Sequence, residues 1–141
     1  MSNPCGTNPM RLSSSLLSTA ALLACAAAHA QSPLPAFQSE GAGRFVCGGI
    51  GSDESGAMRA AMKDHPLSLL FARPDGGYLA DVDVAIKDER GATAMAMRAS
   101  GPVCLIDLPA GRYTVQATSG GATKRQNVSV GSGPKTADFR F

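Results

Sequence analysis

The first residues that suggest chemistry are the glycines of "CGGIGSDES", which runs from Cys47 to Ser55. A glycine-rich turn that opens a helix can bind phosphate, because its backbone N–H groups and the helix dipole attract an anion. The common phosphate loop also needs Lys-Ser or Lys-Thr after its glycines, whereas this turn carries Asp53 and Glu54. Two carboxylates repel an anion, so the sequence predicts a tight strand-to-helix turn and no phosphate site.

Cysteine chemistry is limited to Cys47 and Cys104 if residues 1–30 are removed on export. Alternation along their strands places Cys47 on the same face as Phe45, and Cys104 on the same face as Ile106. Both thiols are expected to face inward, and exported compartments favour disulfides. We predict a disulfide, which for a loop of this length stabilises the fold by roughly 4 kcal/mol in the chain-entropy model. Two separate buried thiols are the alternative.

Two further sets of side chains contain possible metal ligands. One is a set of carboxylates with hard oxygen atoms, and the other is a set of methionines with soft sulfur atoms. The acidic set offers oxygen, but calcium needs six or more oxygen ligands and no D-x-D-x-D-G loop is present. The methionines offer soft sulfur for copper, but core packing explains their helix and strand spacing. The sequence therefore predicts no metal and no cofactor for these sets, which are Asp81, Asp83, Asp88 and Glu89, and Met58, Met62, Met95 and Met97.

Acid–base chemistry has a single candidate, because His65 is the only histidine after residue 30. It directly precedes Pro66 at the end of a predicted helix, where a cation interacts favourably with the helix dipole. Catalysis also needs a nucleophile and a group that orients the histidine, and the sequence places neither beside it. We therefore expect that the protein is not an enzyme, and a small hydrolase is the least favoured alternative.

Charged side chains on predicted strands form the candidate interaction surface. Asp81 and Asp83 are expected to share one strand face, since alternate residues point the same way. Arg112, Lys124 and Arg125 give a mild basic side. We predict that these charged regions contact an unknown envelope protein, and a solvated sheet face is the alternative. The formal net charge of +2 is too small to indicate nucleic-acid binding.

The N-terminal residues have the pattern of an export signal. Arg11 precedes the apolar stretch 12–28, and Ala28-His29-Ala30 places small residues where signal peptidase reads them before Gln31. We predict a signal peptide over residues 1–30 and a periplasmic or secreted protein. No later stretch approaches the roughly 20 apolar residues that a membrane helix needs, so no transmembrane span is expected.

Two details of this signal have alternatives. The stretch "LLAC", which ends at Cys25, resembles a lipobox, so the alternative to free export is a lipid anchor on Cys25. An acylated N-terminus would attach the protein to a membrane, whereas a mature start at Gln31 would leave it free. Translation begins at Met1 or at Met10, which directly precedes Arg11.

The elements that must position these side chains are short strands. With 16 glycines and 5% aromatic residues, the composition is typical of a turn-rich β domain. Residues 31–43 are rich in Pro, Ser and Gly and are predicted to be a flexible leader. Ser52 is predicted to cap a helix that ends by His65, and about eight strands occur at roughly 8–12-residue spacing. This pattern predicts one domain over residues 44–141, an all-β sandwich of seven to eight strands with one short N-terminal helix.

Two motifs in this region resemble the carboxypeptidase regulatory-like, or transthyretin-like, domain. They are "YLADVDVAIKDERG", from Tyr78 to Gly91, and "LPAGRYTVQAT", from Leu108 to Thr118. The upstream part, from about residue 44, is similar to small exported proteobacterial proteins that carry this module. The resemblance implies a prealbumin-like sandwich that is usually accessory or adhesive, because the family is defined by its fold and not by one chemistry.

Two enzyme classes with related sandwiches use residues that this chain lacks. Transthyretin-like hydroxyisourate hydrolases use several histidines and a C-terminal Tyr-Arg-Gly-Ser, whereas this chain ends in Phe-Arg-Phe. Intradiol dioxygenases bind iron with two tyrosines and two histidines, and the predicted mature chain has Tyr78 and Tyr113 but one histidine. We therefore predict a non-catalytic exported module for protein or surface interaction in the cell envelope. A small-ligand or metal-binding periplasmic carrier is the alternative.

Overall fold

The computed structural model describes residues 34–141. The predicted signal peptide over residues 1–30, both candidate start positions and the lipobox residue Cys25 lie outside the described residues. Within residues 34–141, no helix is both long enough and apolar enough to cross a membrane.

Residues 34–141 form nine strands in two sheets, and the predicted all-β sandwich is confirmed. The strands are β1 (Gln38–Glu40), β2 (Gly43–Gly48), β3 (Leu67–Ala72), β4 (Val82–Asp88), β5 (Thr93–Ala99), β6 (Val103–Asp107), β7 (Gly111–Ser119), β8 (Ala122–Val130) and β9 (Lys135–Arg140). The five-stranded sheet has the order β1-β2-β6-β3-β9, and the four-stranded sheet has the order β5-β4-β7-β8. Only the β3–β9 pair is parallel among these strands.

The core lies between the two sheets, because the apolar residues alternate along the strands. On β4, Val82, Val84 and Ile86 are buried, whereas Asp83 and Lys87, which alternate with them, are exposed, as the sequence predicted. Phe71 on β3 and Phe139 on β9 stack with ring centroids 5.7 Å apart. Burial of this alternating apolar face is what drives the two sheets together.

A disulfide links two neighbouring antiparallel strands of the five-stranded sheet, as predicted. Cys47 on β2 and Cys104 on β6 are direct partners in the strand register, and they are bonded to each other. Both lie in the main core cluster with Phe45 and Ile106, so the predicted inward facing is also confirmed. A disulfide is compatible with an exported protein.

The segment before β2 differs from the predicted flexible leader. Within residues 34–43, Gln38–Glu40 pairs with β2, and Gly41 turns between the two strands with φ at 55°. The Ala42 N–H donates to Ala94 O of β5 at 2.8 Å, so this segment also closes one side of the sandwich. Its composition predicted flexibility, but Leu34 and Phe37 supply apolar side chains that pack against the fold.

Among residues 34–141, the one α-helix, α1 (Ser52–Ala61), is followed by a 3₁₀ turn over Met62–Asp64, and the helical segment ends before His65 as predicted. The N-cap is Gly51 and not Ser52, because Gly51 takes the positive φ of 87° that leads into the helix. Met58 of α1 is fully buried against the outer face of the five-stranded sheet, where it packs on Val46, Val103 and Leu105.

Candidate functional site

The candidate site is the outer face of the four-stranded sheet. On each strand, the residues that alternate with the buried ones point away from the core. The strand register aligns them in rows across the sheet, and none of them is buried. They are Asp83, Ala85 and Lys87 on β4, Ala96 and Arg98 on β5, Arg112, Thr114, Gln116 and Thr118 on β7, and Thr123, Arg125, Asn127 and Ser129 on β8.

Hydrogen bonds between paired side chains give this face a fixed shape. Three successive pairs between β7 and β8 are bonded across the strands. They are Thr114 Oγ1 to Asn127 Oδ1 at 2.9 Å, Arg125 Nε to Gln116 Oε1 at 3.2 Å, and the hydroxyls of Thr118 and Thr123 at 2.9 Å. Side chains held in this way would lose less conformational freedom if a partner bound this face.

Arg98 forms ion pairs with two of the predicted acidic residues, Asp81 and Asp83, at the end of the sheet where β4 begins. Its Nε lies 3.5 Å from Asp81 Oδ1, and its Nη1 lies 3.7 Å from Asp83 Oδ1. Asp81 is not part of a strand, because it precedes Val82 and has a positive φ of 58°. The structure therefore brings Asp81 and Asp83 together through a shared cation and not through strand alternation.

The other two acidic residues lie at the opposite end of β4. Asp88 Oδ1 accepts hydrogen bonds from the backbone N–H groups of Arg90 and Ala92 and so shapes the β4–β5 turn. Glu89 Oε1 lies 3.9 Å from Arg112 Nε, beside an open cavity of about 460 Å³. Within residues 34–141, no group of three or more His, Cys, Asp or Glu side chains is arranged to hold a metal ion.

The predicted basic side is divided between two faces. Arg125 lies on the outer face with Gln116, but Lys124 pairs with the buried Ala117 and points toward the other side of β8. The Lys124 ammonium lies 5.8 Å from the centroid of the Phe141 ring. Lys124 therefore does not belong to the outer face, because consecutive residues of a strand point to opposite faces.

A second polar cluster, which the sequence did not predict, surrounds Asp107. His65 Nδ1 lies 2.7 Å from Asp107 Oδ1, and Arg44 Nε donates to Asp107 Oδ2 at 2.6 Å. Partial burial raises the pKa of the Asp107 carboxyl, but its hydrogen bonds and charge interactions with His65 and Arg44 outweigh that effect. The pKa of Asp107 is therefore below its usual value.

This pair has part of the geometry of a hydrolytic site. In a catalytic triad, a carboxylate orients a histidine and the histidine activates a nucleophile. Among the described residues, no Ser, Thr or Cys side chain is hydrogen-bonded to His65. The Phe37 ring lies 5.1 Å from the His65 ring and 4.7 Å from the Arg44 guanidinium, so the cluster fastens the N-terminal segment to the sheet.

Tyr113 in "LPAGRYTVQAT" has a structural role. Its hydroxyl donates to Pro109 O at 2.7 Å, four residues upstream, which holds the corner before β7. Burial, with the nearby Asp88 carboxylate as a smaller cause, raises the pKa of Tyr113. The hydroxyl is used inside the corner, so this motif positions β7 and does not present a tyrosine for chemistry.

The glycine turn holds a carboxylate of its own chain. The Gly49 N–H donates to Glu54 Oε1 at 2.8 Å. A Cβ on Gly48 would also collide with the Glu54 carboxylate, so the Glu54 side chain packs closely against the backbone of the turn. Glu54 occupies the N–H group that an anion would use, which agrees with the predicted strand-to-helix turn.

The methionines lie in two separate apolar clusters. Met58 is buried between α1 and the five-stranded sheet, whereas Met95 is buried between the two sheets. A sheet separates the two side chains, so their sulfur atoms do not converge on a common site. Both side chains are packed in the core, as their spacing in the sequence predicted.

Comparison of the chain with family models and with curated proteins finds no match in either set. The functional proposal therefore rests on the geometry of residues 34–141.

Proposed function

We propose that the protein is a non-catalytic, exported β-sandwich module that contacts another macromolecule in the cell envelope. The observation that carries this proposal is the open outer face of the four-stranded sheet, with its fixed rows of polar and charged side chains. The resemblance to the carboxypeptidase regulatory-like domain supports the same conclusion, since that resemblance implies an accessory role. The disulfide supports an exported location.

The composition of this face suits reversible contact. Charged and polar side chains keep an exposed sheet soluble, while paired side chains still offer hydrogen bonds and charge to a partner. The central row of the face carries Ala96 and Ala85 and continues with Gln116 and Arg125, so small side chains lie beside long polar ones. The His65–Asp107 pair is weaker support for an enzyme, because no nucleophile among the described residues is bonded to it.

Crosslinking in the native envelope, with the protein as bait, tests the proposal. We expect Arg125→Glu to remove a specific crosslinked partner, because it reverses a charge on the outer face. Lys124→Glu is the matched control, because it makes the same charge change one residue away on the other face. Equal loss with both variants, or a partner that both variants retain, would argue against this face as the contact surface.

A small-ligand carrier is a second candidate, and the cavity beside Arg112 is the observation that favours it. The cavity of about 460 Å³ is lined by Arg112 and Glu89, which offer opposite charges to a zwitterionic ligand. A thermal-shift screen with amino acids and other small zwitterions measures such binding. A ligand present at 100 times its Kd stabilises the fold by about 2.7 kcal/mol, and we expect Arg112→Ala to remove that stabilisation.

A further inference from the structure

The outer face of the four-stranded sheet is not uniformly charged. Where β4 begins, Arg98 lies near two carboxylates, those of Asp81 and Asp83, so this end of the face has a net charge of −1. Further along the sheet the cations are in excess. Among residues 34–141, neither Lys87 on β4 nor Arg125 on β8 takes part in an ion pair. These two cations are therefore available to a charge outside the chain.

The neighbouring charges do not cancel these two cations. Arg112 on β7 has one carboxylate near it, that of Glu89, at 3.9 Å. Together with the adjoining β4–β5 turn, this part of the face carries four cations and two carboxylates, which leaves a net charge of +2. They are Lys87, Arg90, Arg112 and Arg125, and Asp88 and Glu89. The excess of positive charge favours an anionic partner.

The hydrogen bonds between β7 and β8 leave the same part of the face rich in donors. The Arg125 guanidinium can only donate, so Gln116 presents its amide oxygen to Arg125 and keeps its NH₂ group for a partner. Asn127 accepts from Thr114 through Oδ1, which leaves its NH₂ group as well. Lys87 lies in the same row as Thr114 and Asn127. These rows therefore present N–H donors to a partner that is rich in oxygen acceptors.

The cations are spread over an open area. Arg112 pairs with Ser129, and Arg125 lies four residues from Ser129 on β8. At about 3.3 Å per residue and about 4.8 Å between strands, the Cα atoms of the two arginines lie about 14 Å apart. An extended chain that carries repeated anions can contact these cations at the same time, which strengthens binding without any new kind of contact.

The uncharged side chains distinguish between the classes of anionic chain. The outward residues of this face include no aromatic side chain and no aliphatic side chain larger than alanine. Protein interfaces depend on a few anchors, often aromatic, that fill buried pockets, and single-stranded nucleic acid stacks its bases on aromatic rings. Hydroxyl groups, amide groups and cations on an open sheet instead match a sugar chain that carries carboxylates.

We propose that this face binds an acidic polysaccharide of the cell envelope, whose carboxylates contact Lys87, Arg112 and Arg125. This inference rests on the proposed function, because it names the class of macromolecule that the open sheet contacts. The amide NH₂ groups of Gln116 and Asn127 donate to oxygen atoms of the sugar chain. Because the contact consists of exposed charges and hydrogen bonds, it is weak at each sugar, and salt weakens it further.

Calorimetric titration with an oligogalacturonate, in which each sugar carries a carboxylate, tests this proposal. We expect saturable binding at low ionic strength that is lost at about 1 M salt, and no binding of a neutral dextran oligosaccharide of the same length. Lys87→Ala and Arg125→Ala should each weaken binding about fivefold. Lys124→Ala is the matched control, because it removes a cation that points to the other side of β8, and it should bind as the wild-type protein does.

Asn127→Asp tests the donors separately from the cations. The new carboxylate still accepts the hydrogen bond from Thr114, so the shape of the face is kept. Its NH₂ group is replaced by an oxygen that repels an anion, and we expect binding of the oligogalacturonate to weaken about tenfold.

The outcomes separate this inference from the proposed function. A wild-type protein that does not bind the oligogalacturonate overturns the polysaccharide, as does unchanged binding by the Lys87, Arg125 and Asn127 variants. An oligoglutamate of equal charge that binds as tightly also overturns it, and assigns the face to an acidic protein segment. Carbodiimide joins a carboxylate to the Lys87 amine, so crosslinking in the envelope captures either class of partner. A protein captured through Arg125 then leaves the proposed function standing, whereas failure of both tests removes both proposals.

Discussion

The outer faces of the two sheets differ, although the strands of both sheets follow the same alternation. On the five-stranded sheet, Val46, Val103 and Leu105 point outward and α1 covers them with Met58. On the four-stranded sheet, the outward residues are charged, polar or small, and none of them is buried. One outer face is apolar and is buried under a helix, whereas the other is polar and stays exposed to solvent.

The largest expected effect is the loss of the disulfide in the covered sheet. Replacement of Cys47 and Cys104 together by Ala should lower the free energy of unfolding by about 4 kcal/mol, since the unfolded chain gains the freedom of a long loop. Urea unfolding of the two proteins measures this difference. A reductant should destabilise the wild-type protein but not the double variant, and an equal response of both would contradict the assignment.

Truncation of Met58, which packs α1 against the five-stranded sheet, should have the next largest effect. Met58→Ala removes a fully buried side chain and should cost about 3 kcal/mol, the middle of the usual range for such a change. By contrast, Gln116→Ala on the open face should change the free energy of unfolding by less than about 0.5 kcal/mol. Thermal unfolding of both variants checks the contrast, and similar values for the two would contradict it.

On the four-stranded sheet, we expect the most stabilising polar contact to be the hydrogen bond of Tyr113 at the corner before β7. Tyr113→Phe removes the hydrogen bond to Pro109 O and should lower stability by about 1 kcal/mol. Because the pKa of Tyr113 is raised in the folded protein, the unfolded chain loses this proton first as the pH rises. The stabilisation is therefore complete below about pH 10 and declines as the pH rises through the folded-state pKa.

A stability profile from about pH 8 to about pH 11 measures that decline. The Tyr113→Phe variant should lack this contribution and show a flatter profile over the same range. A variant with the same alkaline slope as the wild-type protein would show that another group causes the loss.

The smallest expected effect comes from Asp107 on the five-stranded sheet. Its folded-state pKa lies below the usual value of 3.8, so the unfolded chain takes up this proton first as the pH falls. The stabilisation is complete above that value and is lost as the pH falls through the folded-state pKa. Asp107→Asn should therefore reduce the acid sensitivity of unfolding between about pH 4 and pH 2, measured by urea midpoints, and an unchanged acid slope would contradict this role.

Eight of the nine strands could be predicted because each has a local signal. Alternating apolar residues and glycine turns mark β2 to β9, and the same alternation predicted that Cys47 and Cys104 face the core. The first strand, β1, could not be predicted in this way. Its three residues carry no alternation, and its pairing depends on β2 and on the bond from Ala42 to Ala94 O.

The candidate surface was only partly predictable. Asp83, Arg112 and Arg125 were correctly placed on strands, but the sequence grouped Lys124 with Arg125 by charge alone. Adjacent residues on a strand point to opposite faces, so the register of β8 separates these two cations. The sequence also contained no sign of the rows that β7 and β8 form, because those rows exist only once the two strands are paired.

The amino-acid sequence alone predicted the class of fold, the inward facing of both cysteines and the strands that hold the candidate residues other than Asp81. These properties follow from period-two alternation and turn residues, which act over a few neighbouring positions. The tertiary structure decided which residues meet. His65 contacts Asp107 across 42 positions, and Arg98 joins Asp81 and Asp83, because strand order and register bring these side chains together. It also decided that α1 covers the five-stranded sheet, since burial of Met58 requires the apolar outer face that only this sheet offers.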